Sequence, residues 1–491
     1  TKTLTGGRDM NAGNTTWTGN TGNGNNAIGL SIGGVFTNTG TFTDSNAFDS
    51  SMSNGTFANS GIFNKQSATT TSMSSAFNNT GTVNVNAGTR LLNGGGTDSG
   101  VFNIANGAKL EFRNGAHTLN NVTTSGPGTF QISTENVGAD ASVVLNGGTH
   151  TSVFLLSGST LSGTDHTLQG AATWTGGTIT GPATASTTFG STLAITGLNT
   201  KTLSGGRDVN AGNTTWSGNT AAGNNAIAIA TGSAFNNTGT FTDSNAFDSA
   251  INVGGGGGIF NNSGTFNKQS ATTTAIGTAF NNTGTVNVQA GTMLMNGGGV
   301  DSGQFNIADG AKLEFRNGAH TLNNVTTSGL GTFQISTENV GADATVTVNG
   351  GTHTTPFLMS GSNMNGTDTI FQGPVTWTGG AIGGDGLTTF ESTTFQNDVT
   401  ISGPNLKTLV GGRTLNLEGT TTWSGNTAAD NNTIRFWNGA TINNNGTFND
   451  GNAYDSFVEH NVGGPHNFNN NGIYNKQTNT VTDFDLFVNF N

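Results

Sequence analysis

Three hexapeptides carry hard oxygen ligands of the kind Ca²⁺ accepts. Asp44-Ser45-Asn46-Ala47-Phe48-Asp49 returns at Asp243 to Asp248 and, with Tyr454 in place of Phe, at Asp450 to Asp455. A carboxylate, an amide oxygen and a second carboxylate therefore stand at positions 1, 3 and 6 of each. The candidate calcium sets are Asp44, Asn46 and Asp49; Asp243, Asn245 and Asp248; and Asp450, Asn452 and Asp455. Neither the Gly and Glu of an EF-hand loop nor a nonapeptide calcium repeat accompanies them. The competing assignment is a turn whose Asx side chains bond their own backbone. No other cofactor is suggested.

Trp17, Trp216 and Trp423 each lie in a Thr-Trp-Thr/Ser-Gly-Asn phrase, and Trp174 and Trp377 each precede Thr-Gly-Gly. An exposed indole stacks on sugar rings, whereas a buried one fills a wide coil and bonds a corner carbonyl through its N–H. His117, His150, His320 and His353 are isolated, and none stands at metal or triad spacing. Hydrogen bonding at the surface is the expected role for each. Glycan hydrolysis or elimination needs several carboxylates with Arg or Lys converging on neighbouring elements. Acids are sparse here: Glu111 falls in an ionic stripe, and Glu135 and Asp140 flank a glycine turn. The expectation is no enzyme and no catalytic residues.

The elements that position these residues follow from one skeleton, apolar-x-Asn-x-Gly-x-apolar. It reads Phe36-Asn38-Gly40-Phe42, Phe57-Asn59-Gly61-Phe63 and Phe77-Asn79-Gly81-Val83 in one cluster. A second cluster is Phe235-Asn237-Gly239-Phe241, Phe260-Asn262-Gly264-Phe266 and Phe280-Asn282-Gly284-Val286. A third is Ile442-Asn444-Gly446-Phe448 and Phe468-Asn470-Gly472-Tyr474. The two apolar positions are an even number apart, so on extended backbone they share a face. Asn and Gly tolerate the positive φ of a corner, so the unit reads strand, corner, strand. One such corner cannot bury its own rings, but stacked copies can. Stacking also piles Asn38, Asn59, Asn79, Asn237, Asn262, Asn282, Asn444 and Asn470 into corner ladders in which each amide bonds its neighbours. The predicted fold is an all-β parallel β-helix of about 20 residues per coil.

A longer period overlies the short one. Lys2-Thr3-Leu4-Thr5-Gly6-Gly7-Arg8 returns at Lys201 to Arg207 and at Lys407 to Arg413. Super-repeats of about 200 residues follow, spanning 1–199, 200–405 and a truncated 406–491. Lys109 to Gly126 and Lys312 to Gly329 are identical. Extra residues enter at Gly254 to Gly258 and around Gly383-Gly384-Asp385-Gly386, as loop tips allow. In Lys109-Leu110-Glu111-Phe112-Arg113, the apolar pair faces in and the charges form an outer stripe. Thr41, Ile62 and Thr82 share one outward position, so a Thr-only face of the kind that binds ice is broken.

Hydrophobic residues are only 32 % of the chain and Gly numbers 79, yet the 31 Phe are periodic, which argues against disorder. The net charge of −12 with no basic cluster disfavours nucleic acid. No apolar run of membrane-spanning length and no signal peptide are present, so membrane insertion is not expected. The chain opens and stops inside repeats and is read as a portion of something longer. Cysteine is absent, which suits a secreted protein that crosses a membrane unfolded.

The Gly/Asn/Thr-rich coils, the Phe-Asn-Asn-Thr-Gly-Thr units and phrases such as Asn84-Val85-Asn86-Ala87-Gly88-Thr89 resemble the repeat regions of large secreted bacterial surface proteins. These are the filamentous-haemagglutinin-like and autotransporter-passenger adhesins. The resemblance implies a right-handed parallel β-helix, export of Gram-negative type and a place at the cell surface. The expected function is a stiff extracellular rod or fibre that self-associates into filaments. The alternative is an adhesin that contacts host or biofilm polysaccharide.

Overall fold

The computed structural model describes residues 1–134, 140–337, 343–383 and 391–491. Glu135 and the inserted Gly384-Asp385-Gly386 lie outside the described residues. The described chain is all β with no helix, and its strands pair in parallel as a β-solenoid averaging about 22 residues per coil. The sole isolated bridge among described residues is the antiparallel Asn114–Asp140. Two compact units result: Thr1–Phe241 with Asn252–Ile259, and Thr242–Ile251 with Phe260–Asn491.

In the first coils of the first unit each coil contributes three short strands, as Val35–Asn38, Thr41–Asp44 and Ser50–Ser53 illustrate, and from Val153–Ser162 onward two of them fuse into one longer strand. Alternation sends every second side chain inward, so Phe36 and Asn38 are buried while Thr37 faces out. These first coils stack in register: Phe36 pairs with Phe57, which pairs with Phe77. Thr41, Ile62 and Thr82 are likewise in register. Inside, Phe36 stacks on Phe57 with centroids 5.1 Å apart, and Phe42 on Phe63 at the same distance. The two columns meet edge to face, Phe36 against Phe42 at 5.7 Å. Such ring pairs add about 0.5–1.5 kcal/mol each beyond burial.

The corner glycines have a different cause from the one expected. Gly61 and Gly81 do not adopt positive φ; a Cβ on either would sit 2.1 Å from the carbonyl oxygen of the glycine one coil before. Close approach of neighbouring coils, not a left-handed turn, excludes any side chain there. Asn38, Asn59 and Asn79 likewise keep negative φ. Their amides run from coil to coil: Asn38 Nδ2 donates to Asn59 Oδ1 and Asn59 Nδ2 to Asn79 Oδ1, both at 2.7 Å. Gly255, Gly256 and Gly257 form an exposed loop.

The second unit repeats this arrangement. Asn262 Nδ2 donates to Asn282 Oδ1 at 2.7 Å and Asn444 Nδ2 to Asn470 Oδ1 at 2.6 Å. Phe260 stacks on Phe280 at 5.5 Å and Phe448 on Tyr474 at 5.4 Å. Asn237, in the first unit, is also fully buried.

The ladders that end at Asn79 and Asn282 are each followed by a buried carboxyl. Asp98 Oδ1 accepts the Asn79 N–H at 2.8 Å, and Asp301 Oδ1 accepts the Asn282 N–H at 2.9 Å. Burial outweighs these bonds and pushes both carboxyls up to about 8, so both are protonated in the folded chain at neutral pH. The folded state then holds protons that the unfolded state releases above its ordinary carboxyl pKa of 3.8. The stability contributed by these protons is complete below that value and is lost as pH rises towards 8. Replacing both by Asn, which stays neutral, removes that loss. The Asp98→Asn, Asp301→Asn variant should therefore gain melting temperature over wild type progressively between about pH 4 and about pH 8. A gap that stays constant over that range contradicts protonated carboxyls at these positions.

Candidate functional site

The three calcium candidate sets do not converge. Asp44 is fully buried: its Oδ1 accepts the Asn46 N–H and amide at 3.2 and 2.9 Å, and its Oδ2 accepts the Thr71 hydroxyl. Asp49 is exposed and accepts the Thr70 N–H of the following coil at 2.8 Å. Asp243 and Asn245 repeat the inner arrangement, and Asp248 accepts the Thr273 N–H at 2.8 Å. Asp450, Asn452 and Asp455 do the same, with Asp455 accepting the Val481 N–H at 2.8 Å. Inner and outer carboxylates thus belong to opposite sides of the backbone. Among the described residues no three His, Asp or Glu side chains are placed to hold a metal ion. The hexapeptide is a hydrogen-bonded arc that ties one coil to the next. Thermal melts with and without chelator should coincide; a lower midpoint in chelator contradicts this assignment.

The indoles are likewise structural. Trp17 is 4 % exposed, Trp216 and Trp423 are fully buried, and none presents a face to a sugar. Their N–H groups donate to the carbonyls of Asn26, Asn225 and Asn432 at 2.8, 2.8 and 2.9 Å. Trp174 and Trp377 are also buried. The histidines correct the expectation of a surface role. His117, His150, His320 and His353 all point into the core. Burial pushes His117, His320 and His353 down to about 4, and His117 bonds the Asn114 carbonyl at 2.8 Å. They are neutral packing groups.

A polar groove does form, once in each unit, over the Lys-x-Glu-x-Arg strand. The first has a volume of about 1040 Å³ and lies over Lys109–Phe112, Thr129–Ile132, Val153–Ser162 and Ala172–Ile179. The second, of about 1090 Å³, lies over the corresponding strands starting at Lys312–Phe315. The shape comes from a bulge. The register of Val153–Ser162 with Ala172–Ile179 shifts at Leu156/Ser157 and again at Ser157/Thr160. Ser159 carries this kink at φ 61°, and Ser362 carries the same kink at φ 60°. A non-glycine residue in that region is strained by about 1–3 kcal/mol. Gly158 sits so close to Thr134 that a Cβ would lie 2.0 Å from its Oγ1.

Glu111 is the groove's central charge, only 3 % exposed although it leaves the outer face of its strand. Burial opposes its ionisation, but the Ser133 hydroxyl at 2.7 Å and Arg113 at 2.8 Å outweigh that and hold its carboxyl below the ordinary range. Lys109 adds an ion pair at 3.6 Å. Glu314 has the same partners in Ser336, Arg316 and Lys312, with Lys312 at 3.0 Å. A carboxylate held ionised in this way is unsuited to general-acid catalysis, which needs a raised pKa. Compared with known proteins, the chain matches no family model, no curated protein and no solved structure. The groove therefore has to be interpreted from its own chemistry.

The stripe Lys109, Glu111, Arg113 was visible in the sequence, but its concave setting was not. The signal lay further on, in Ser157-Gly158-Ser159 and Ser360-Gly361-Ser362, which interrupt the alternation of their strands. Each super-repeat also exposes an aromatic within its hexapeptide, and the third exposes Trp437 as well. Phe48, Phe247 and Tyr454 are 43 %, 45 % and 49 % exposed, inside the hexapeptides considered for calcium.

Proposed function

We propose that this chain is a structural element of an extracellular bacterial surface, a β-solenoid segment that builds a stiff filament and carries no catalytic activity. The supporting observation is the make-up of the interior, where Phe columns and Asn ladders run from coil to coil. Such a stack gains stability with each added coil, as a mechanical element requires. Nearly identical super-repeats serve a periodic material better than a single pocket. The likeness of the Gly/Asn/Thr-rich coils to filamentous-haemagglutinin-like and autotransporter-passenger regions supports cell-surface placement and Gram-negative export. Self-association then proceeds by heterologous contacts that do not close.

A second reading, an adhesin that grips polysaccharide, is favoured by the duplicated polar groove. Negative-stain electron microscopy of the purified chain separates the two. Long uniform fibres support the filament, discrete short rods favour the adhesin, and compact globular particles defeat both.

A further inference from the structure

We propose that the groove at Glu111, Gln131 and Ser157, and its copy at Glu314, Gln334 and Ser360, binds an extended, uncharged oligosaccharide. This goes beyond the filament role and does not depend on it.

The lining selects the ligand class. Every residue around the first groove is polar or glycine, so an apolar molecule finds no surface to bury against. Lys109 and Arg113 are balanced by Glu111 and Asp140, and Lys312 and Arg316 by Glu314 and Asp343, so neither groove has a net charge to attract a phosphate or a uronate. What remains is a dense array of fixed donors and acceptors: hydroxyls, carboxamides, a guanidinium and an ammonium. Vicinal hydroxyls, each both donor and acceptor, complement such an array.

Gln131 marks where the ligand is held. Its Nε2 donates to Ser157 Oγ at 3.1 Å, which fixes the carboxamide. Its Oε1 is buried and has no partner, and the residue is only 9 % exposed. A buried acceptor left unpaired costs about 1–3 kcal/mol. A sugar hydroxyl donating to Oε1 removes that cost. Gln334 makes the same donor bond, to Ser360 Oγ at 2.9 Å, from a half-buried position. The groove also crosses successive coils, and strands stack about 4.8 Å apart. That step is close to the length of one hexopyranose in an extended chain, so consecutive rings meet consecutive coils.

Isothermal titration of the full chain tests the proposal. The probes are the neutral hexasaccharides of cellulose, chitin, starch and mannan, with oligogalacturonate as the charged counterpart. At least one neutral probe should bind at two sites per chain with a Kd below about 1 mM, and oligogalacturonate should bind more weakly. Gln131→Ala with Gln334→Ala should weaken binding about tenfold or more without lowering the melting temperature, and Gln131→Ala alone should halve the high-affinity stoichiometry. Ser157→Phe with Ser360→Phe, which fills both grooves, should abolish binding. The proposal is overturned if no neutral probe binds at about 1 mM, if both paired variants bind like wild type, or if the charged probe wins. Filaments without sugar binding would overturn this inference and leave the structural function standing; sugar binding without filaments would do the reverse.

Discussion

Arg207→Ala should cost about 3–5 kcal/mol of local stability, a loss that Arg207→Lys does not restore. Arg207 is wholly buried, and its guanidinium reaches back across the two preceding coils. Nη1 donates to the Gly163 carbonyl at 2.6 Å, and Nη2 to those of Thr164 and Ser186 at 2.9 and 2.7 Å. Nε donates to the Thr187 hydroxyl at 2.7 Å, and Nη2 also approaches His166 Nδ1 at 2.9 Å. Burial and the adjacent guanidinium push His166 down to about 3, which keeps it neutral. Removing the fork takes the donor from three part-buried carbonyls, each at up to about 1–3 kcal/mol. An ammonium cannot reproduce the planar set of donors. Arg413 makes the equivalent bonds to Gly366, Thr367, Ser392 and Thr393 and supplies an independent second test. Because a solenoid opens locally, the readout is amide exchange, with protection falling around 163–166 and 186–187 in Arg207→Ala. A loss below about 1 kcal/mol contradicts the clamp.

Arg90→Met should act in the opposite direction and stabilise the chain by about 1–4 kcal/mol. Arg90 stands in the core between Thr71 and Leu110, with its guanidinium 4.3 Å from the Phe63 ring centre and 4.9 Å from that of Phe77. Nη2 lies 3.0 Å from Met73 Sδ, while Nε and Nη1 have no hydrogen-bond partner. Burial pushes the group down to about 10 against the pull of Asp44, so it remains charged at neutral pH. The second super-repeat performs the control experiment itself: Met293 occupies this position between Thr274 and Leu313. Cation–π attraction returns about 2 kcal/mol or somewhat more at such a desolvated site, less than the several kcal/mol that dehydrating an unpaired guanidinium costs. Urea unfolding measures the outcome. Destabilisation by more than about 1 kcal/mol would mean that Arg90 is held by more than its two rings.

Legibility in the sequence followed periodicity. Phe36, Phe57 and Phe77 recur 21 and 20 residues apart inside an even-numbered frame, so strand, face and stacking could be read from the sequence. The glycines were correctly placed but for the wrong reason, because a positive φ and a missing Cβ volume both ask for the same residue. His117 shows a signal passed over. In Ala116-His117-Thr118-Leu119 the ring alternates with Leu119 on the inner face, yet its small neighbours suggested the surface. Asp44 and Asp49 looked like paired ligands because sequence spacing does not record which side of an arc each faces. The groove depends on a bulge at Ser157 to Ser159, a break in register that a fixed repeat length conceals. Arg207 served as a mark of the super-repeat, and its reach across coils is a purely three-dimensional property.

Registered stacking of the coils can be tested by cross-linking, since the chain has no cysteine of its own. Thr37, Ala58 and Asn78 occupy one outward position on three successive coils. Adjacent strands bring paired Cα atoms to about 4.8 Å, within the span of a disulfide, and coils two apart to about twice that, beyond it. Thr37→Cys with Ala58→Cys should oxidise to an intramolecular disulfide, as should Ala58→Cys with Asn78→Cys, while Thr37→Cys with Asn78→Cys stays reduced. Efficient cross-linking of that last pair, or failure of the first two, would mean that the coils do not lie one over the next.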